Sequence, residues 1–441
     1  MAGIFGKVAA RPPGGHCRAV MGAPDKRGVT HHSELGAHVA AWAESGAMAI
    51  TGRAGADRVG PPAGLVPGLG SMGAELARSA SRLGASIAVD ALALLGERAA
   101  IAGLRPRGEV SCGGATRLLR ARDDWFAVTL ARAEDLELVP AWLEVDCPYD
   151  AAEAWSAIAT ATAPRPVADV VERAALLGLP AARLSEAAAA SREPVELVAI
   201  GGPASPVGRL SDVIVVDLSA LWAGPLCGAL LAAGGATVIK VESLGRPDGA
   251  RLGSPGFFDL MNAGKRSVAL DLPSADGVGL LRRLLQRADV VIDSSRPRAL
   301  EQMGIHASDL LAAGSPRVWA SITGHGRAGA GRDRSAFGDD AAVAGGLVCW
   351  VEREPIFCAD AVADPASGLF TAAAILRALA TDRRWLLDVS MAAVAAHLAG
   401  PTLAVPHSFA GDIAPPRARP AAGRGPLLGE HTDDVMAELG L

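Results

Sequence analysis

The sequence predicts an α/β fold: a Rossmann-like parallel sheet with helices on both faces, joined to a smaller α+β domain. Three observations predict it. The run "VIVVDL" is apolar apart from Asp217, which is the pattern of a buried parallel strand. From that run onward, strand-like and helix-like segments alternate, and such alternation implies right-handed crossovers in a parallel sheet. Before it the pattern differs, with two short β-rich runs set around a polar "ARDD" turn.

Residues 1–35, rich in Gly, Pro, His and basic side chains, read as a loose arm. Residues 36–105 read as mostly helical: "ELGAHVAAWAESGAMAITG", a break at "GPPAGLVPG", then "SMGAELARSASRLG" and "ALALLGERAAIAGL". Residues 106–200 read as the small α+β domain, with the hairpin "ATRLLRARDDWFAVTLAR" followed by helices in "AEDLELVPAWLE", "AEAWSAIATAT" and "VADVVERAALLGLPAARLSEAAAA". A linker is expected at 201–211, within the proline-bearing segment "SREPVELVAIGGPASPVGRLSD".

Residues 212–441 then read as the large domain. After "VIVVDL" comes a loop and a helix in "SALWAGPLCGALLAAGG", with Pro225 near its first turn. "ATVIKVE" and "SVALDL" are the next strands, followed by Ser274 and the helix "ADGVGLLRRLLQRA". "DVVIDS" is a strand, "RALEQMG" and "ASDLLAAG" are helices with Ser308 as the cap of the second, and "RVWASITG" is a strand.

Composition narrows the function. The 441 residues are 50% hydrophobic and 4% aromatic, enough for a large core. A net charge of −5 without long basic runs argues against a nucleic-acid partner. The six cysteines, Cys17, Cys112, Cys147, Cys227, Cys349 and Cys358, contain no C-x-x-C pair, so they read as reduced thiols and predict no metal site. The absence of a long apolar segment predicts a cytoplasmic protein with no membrane partner.

The turn "SALWAGP" lacks the glycines that a dinucleotide pyrophosphate requires, so no nicotinamide cofactor is expected. Two cationic loops suit a phosphate-bearing ligand instead. Arg246 and Arg251 follow one strand, and Lys265 and Arg266 precede another. These cations are equally readable as solvated surface charges. Asp364, followed by Pro365 and an apolar helical run, has two compatible readings. It can cap a helix, and a carboxylate held ionised at a helix start can also act as a nucleophile.

The segments "DLSALWAGPLCGALLAAGGATVIKVESLGRPDGAR", "MNAGKRSVALDLPSADGVGLLRRLLQRADVVIDSSRP", "RVWASITGHGRAG", "AFGDDAAVAGGL", "ADPASGLFTAAAILRAL" and "GPLLGEHTDDVMAELGL" occur in that order. Together they resemble the class III CoA-transferase (CaiB/BaiF) family, which includes formyl-CoA transferase and α-methylacyl-CoA racemase. The resemblance implies a transferase moving CoA between an acyl-CoA and a carboxylic acid, an interlocked homodimer, and coenzyme A as substrate with no permanently bound cofactor. It implies Asp364 as the nucleophile that forms an aspartyl-acyl anhydride. Asp339 would be an assisting carboxylate; its own residue-level reading is a helix-cap cluster. For CoA binding it implies Ala223 in the loop against the cofactor and Arg251 and Lys265 at the nucleotide and phosphates, with Arg266 beside them. Gly113 and Gly114, in "CGG", resemble the glycine loop that closes over the site.

The resemblance also has gaps. The small-domain pattern precedes the large-domain core, and "HVAAWAESGAMAITG" faintly repeats "DDAAVAGGLVCWV", so residues 36–105 read as a degenerate part of the large domain. Phe337 stands where racemases of the family carry a histidine, and His325 is the one substitute nearby. Gly338 falls at the family's acidic position, offset by one from Asp339. Ser294, Ser295 and Gln302 replace residues that commonly hold CoA. An acyl-CoA isomerase or racemase, and an acyl-CoA-binding protein without turnover, therefore stay open as alternatives.

Overall fold

A computed structural model describes residues 26–55, 58–145, 151–188, 192–406 and 411–441. Among the described residues, twelve strands form three sheets. The small sheet contains β1 (Thr116–Arg120), β2 (Trp125–Thr129) and β3 (Ala181–Arg183). The large sheet contains β4 (Val195–Ala199), β5 (Ile214–Asp217), β6 (Thr237–Ser243), β7 (Arg266–Leu270), β8 (Val290–Asp293), β9 (Val318–Thr323) and β12 (Trp385–Ser390). A separate hairpin pairs β10 (Val348–Val351) with β11 (Glu354–Phe357).

The large sheet runs in the order β4-β12-β9-β8-β5-β6-β7. Every pairing is parallel except that of the edge strand β4 with β12. Alternate side chains of each strand feed two cores. Val215, Val290, Ile292 and Ala320 pack beneath the helices Ala223–Ala233 and Ala363–Leu379. On the other face, Val216, Val291 and Trp319 pack with Leu281 and Leu285 of the helix Ala275–Arg287. Both faces are therefore covered, which is why the central strands read as largely apolar runs. The chain winds outward from β5 in both directions, through β6 and β7 on one side and β8, β9 and β12 on the other. The switch point lies between β5 and β8, where open α/β sheets form a crevice at the strand carboxyl ends.

The small unit stacks β1–β3 on four helices, Ala133–Glu137, Val139–Leu143, Ala151–Thr162 and Val167–Leu176. Its core holds Phe126, Trp142 and Ile158, and the Trp142 indole donates to the carbonyl of Val170 at 2.9 Å. The opposite face of this sheet, through Leu118 and Ala127, packs on Val343, Val348 and Phe357. The small unit thus lies over the helix Gly338–Gly345 and the β10–β11 hairpin.

Several expectations are corrected. The last residues of the expected small domain 106–200 form β4 and join the large sheet, because Val195 and Leu197 find a partly buried place beside β12 and against the large core. The expected arm is helical from Lys26, as part of the helix Lys26–Glu44, and its residues 1–25 lie outside the described residues. Residues 36–105, expected as a degenerate part of the large domain, need no such correction: Leu65, Leu69 and Leu76 of the helix Leu65–Arg82 share the large core with Leu369 and Leu398. Ser308 is inside its helix, whose cap position is His306, and its hydroxyl turns to Asp309. Cys17 and Cys147 lie outside the described residues; the other four cysteines are free and buried. No described helix is long and apolar enough to cross a membrane.

Candidate active site

Asp364 occupies the second position of the helix Ala363–Leu379, with Val362 as the cap residue, so it does not cap the helix as expected. The helix is entered through a tight turn in which Ala359 (φ +53°) and Ala361 (φ +43°) flank Asp360. Left-handed backbone at non-glycine residues costs on the order of 1–3 kcal/mol, so surrounding contacts must hold this turn. They are on hand. The Asp360 carboxylate accepts two bonds from Arg98, Nε at 2.8 Å and Nη2 at 2.5 Å. Asp339 Oδ1 accepts from the Ala361 amide at 3.1 Å.

The helix Gly338–Gly345 supplies the next layer. A Cβ at Gly338 would stand 2.8 Å from Asp364 Cγ and 2.5 Å from the Ala361 carbonyl. Glycine here leaves the space that the Asp364 carboxylate fills. Asp340 Oδ1 accepts from the Phe337 amide at 2.9 Å and from Thr129 Oγ1 at 2.8 Å. Asp339 accepts from Thr116 Oγ1 at 3.3 Å. Thr116 and Thr129 are a cross-strand pair of β1 and β2, their hydroxyls 2.9 Å apart. The small sheet therefore reaches both aspartates through one pair of threonines.

Four carboxyl groups in this space repel one another, and burial disfavours their charged forms. Asp364, half-buried, is pushed up to about 7, chiefly by burial, with the Arg98 charge opposing and Asp339, Asp340 and Asp360 adding. Asp339 is pushed up to about 6 by burial and by Asp360. Asp340 rises to about 7, again through burial, and its second oxygen has no hydrogen-bond partner. The expectation that a helix start keeps Asp364 firmly ionised is corrected: burial and acidic neighbours outweigh the helix dipole, which contributes roughly 0.3–1 kcal/mol.

The loop after β5 borders this cluster. Ala223 is buried at the start of its helix, and its carbonyl lies 2.6 Å from where a Cβ of Gly368 would stand, one turn beyond Asp364. Trp222 of the same loop lies under Arg98, with the guanidinium 5.3 Å from the ring centroid. Gly113 also touches Arg98; a Cβ there would come within 3.3 Å of Nη2. Gly114 has φ +83°, a conformation that favours glycine. The structure thus gathers Asp364, Asp339, Ala223 and Gly113 around one centre, while Gly114 lies against Arg107.

The expected phosphate ligands are placed differently. Lys265 is fully buried, 2.8 Å from Asp217 and donating to the Pro225 carbonyl at 2.9 Å. Its ammonium faces the core, where Asp217 compensates its desolvation. Arg251 makes a two-pronged pair with Glu242 (2.8 and 2.6 Å) and lies 4.3 Å over the Phe258 ring. Arg266 pairs with Glu438 of the carboxyl-terminal helix Thr432–Leu439. All three are occupied as internal ties. A different group of cations stands at the switch point. Arg296 follows β8, and the charges of Arg298, Arg132 and Arg246 depress its basicity after burial does, with Asp333 the opposing acid. Sequence reading singled out Arg246 of these; the place of Arg296 and Arg298, directly after a strand end, was the signal for the others. At the same point Ser294 accepts from the Ala220 amide at 3.2 Å, tying the two switch loops together, and Ser295 donates to Asp293 at 2.6 Å.

His325 is buried 3.8 Å from Glu186, and burial and Arg334 push it down to about 3, so it stays neutral and does not replace the missing histidine. Among the described residues no cluster of three or more His, Cys, Asp or Glu is set to hold a metal.

Sequence comparison adds to this geometry. Residues 210–425 match the family model for CoA-transferase family III. Among curated relatives, the succinyl-CoA--D-citramalate CoA-transferase of Chloroflexus aurantiacus is 32% identical over 189 residues, 41% of this chain and 47% of that protein. The alpha-methylacyl-CoA racemase of Mus musculus is 38% identical over 120 residues, 27% of this chain and 29% of that protein. A solved CAIB/BAIF family protein from Brucella suis is 32% identical, with a TM-score of 0.40, covering 42% of this chain and 54% of its own. The chain spans about half the length of the curated relatives it matches.

Proposed function

We propose that the protein transfers CoA between an acyl-CoA and a carboxylic acid, with Asp364 as the nucleophile. One observation carries this reading: the Asp364 carboxylate stands half-buried at the start of the site helix, in a space kept open by Gly338. The relatives named as CoA-transferases support it.

In the proposed reaction the ionised carboxylate attacks the thioester carbonyl. The C–S bond breaks, CoA leaves as the thiolate, and a mixed aspartyl-acyl anhydride forms. The thiolate then attacks the aspartyl carbonyl, releasing the first acid and leaving an aspartyl-CoA thioester. The acceptor carboxylate reverses these two steps and regenerates Asp364. A group with a pKa near neutrality is partly ionised at neutral pH and more nucleophilic than an ordinary carboxylate. The cations Arg246, Arg296 and Arg298 at the switch point suit the CoA phosphates, since like charges held together gain most from an anion.

A second reading has its own observation. Asp339 and Asp364 are neighbouring carboxyls, both poised near neutrality, and such a pair can move a proton on the carbon beside a thioester. Incubating the protein with acyl-labelled CoA thioester and trapping with hydroxylamine distinguishes the two. Asp364 converted to its hydroxamate supports transfer. Deuterium uptake from solvent into the acyl-CoA, with Asp364 unmodified, supports the isomerase. Neither result on a folded, CoA-binding protein removes both.

A further inference from the structure

Arg98 comes from the first half of the chain, a region outside the matched family segment, yet it touches most parts of the site. Its guanidinium grips Asp360, lies over Trp222 of the loop after β5, and stands against Gly113 of the small unit. It sits among Asp339, Asp360 and Asp364, and its charge acts on all three. Asp360 is locked between two left-handed alanines in the turn that leads into the site helix. The same space holds Asp340 and the Cys112 thiol, which is buried and held neutral.

We infer that Arg98 is a positioning residue for Asp364, fixing the 359–361 turn through Asp360 and supplying the positive charge that lets Asp364 ionise among three other carboxyls. The inference rests on Asp364 being the reactive carboxylate. Removing the guanidinium leaves the acids to repel one another, so Asp364 would hold its proton to higher pH. Removing the Asp360 charge has the opposite effect, because Arg98 remains uncompensated beside Asp364. A purely structural role predicts no such opposition of sign.

The test uses the full chain without substrate, in wild-type, Arg98→Met, Arg98→Lys and Asp360→Asn forms. Carbodiimide labels the protonated carboxyl, and mass mapping of the peptide that carries Asp364 gives the pH at which its labelling falls by half. The expected half-point moves up by about one unit or more in Arg98→Met, stays near wild type in Arg98→Lys, and moves down in Asp360→Asn. Unchanged half-points in both Arg98→Met and Asp360→Asn overturn the inference. Should Arg98→Met fail to fold, the downward shift in Asp360→Asn decides alone. Labelling is independent of turnover. Half-points that move in a protein giving no hydroxamate at Asp364 support the electrostatic role and count against the transferase reading; hydroxamate with fixed half-points does the reverse.

Discussion

The Asp364 carboxylate fills the volume that a side chain at residue 338 would need, so the glycine and the acid are a matched pair on two facing helices. Gly338→Ala should therefore push the carboxylate away and also crowd the Ala361 carbonyl. Overpacking of this kind typically costs about 1–3 kcal/mol. We expect Gly338→Ala to fold with a modestly lower melting temperature and to lose activity by about 100-fold or more, since misplacement by an ångström is enough for that loss. Paired measurements of kcat and thermal unfolding check it; full activity in the variant would remove Asp364 from the proposed role.

The raised pKa of Asp364 fixes the direction of the pH dependence. A nucleophile must be ionised, and the group titrates near 7, so kcat/KM should rise with pH through about 7 and level above it. Asp364→Asn should abolish transfer and the hydroxamate product while leaving CoA binding in place. An acid limb near 4 in the wild-type profile would contradict the burial of this group.

The cations divide into two sets with opposite behaviour. Lys265→Met leaves Asp217 buried with one partner fewer, and breaking a buried pair typically costs about 3–5 kcal/mol. Urea unfolding should show this loss. Arg296→Ala and Arg298→Ala should leave stability nearly unchanged but raise KM for acyl-CoA by about tenfold each, as expected for a lost charge-assisted contact of about 1.5 kcal/mol. The KM effect should shrink at high salt. A KM defect for Lys265→Met without instability would reverse the assignment.

Asp340 makes a separate prediction about stability. Its folded-state pKa is about 7, above the ordinary carboxylate range, so the folded protein holds a proton there that the unfolded chain has lost. Stability from this group is full at pH below about 4 and declines as pH rises toward 7. Asp340→Asn mimics the protonated form and keeps an oxygen for the Phe337 amide and Thr129 hydroxyl. Melting curves at two pH values should show the variant more stable than wild type at pH 8 and little different near pH 4; equal curves at pH 8 would refute the buried-proton argument.

The sequence by itself determined the parallel sheet, because strands buried on both faces must be largely apolar and β5, β8 and β9 are, with polar residues chiefly toward their carboxyl ends. It also determined the hairpin around "ARDD" and the importance of Asp364 ahead of a buried helix, since these depend on residues close together in the chain. Tertiary structure alone decided which charges are free. Lys265 and Arg251 look like ligands until Asp217 and Glu242 are brought beside them. Arg98 lies 262 residues from Asp360 and carries no local pattern that marks it, yet the fold places it in the acid cluster. Periodicity and caps report on neighbours a few residues away, whereas the ionisation of a buried carboxyl depends on every charge and dipole that packing brings near it.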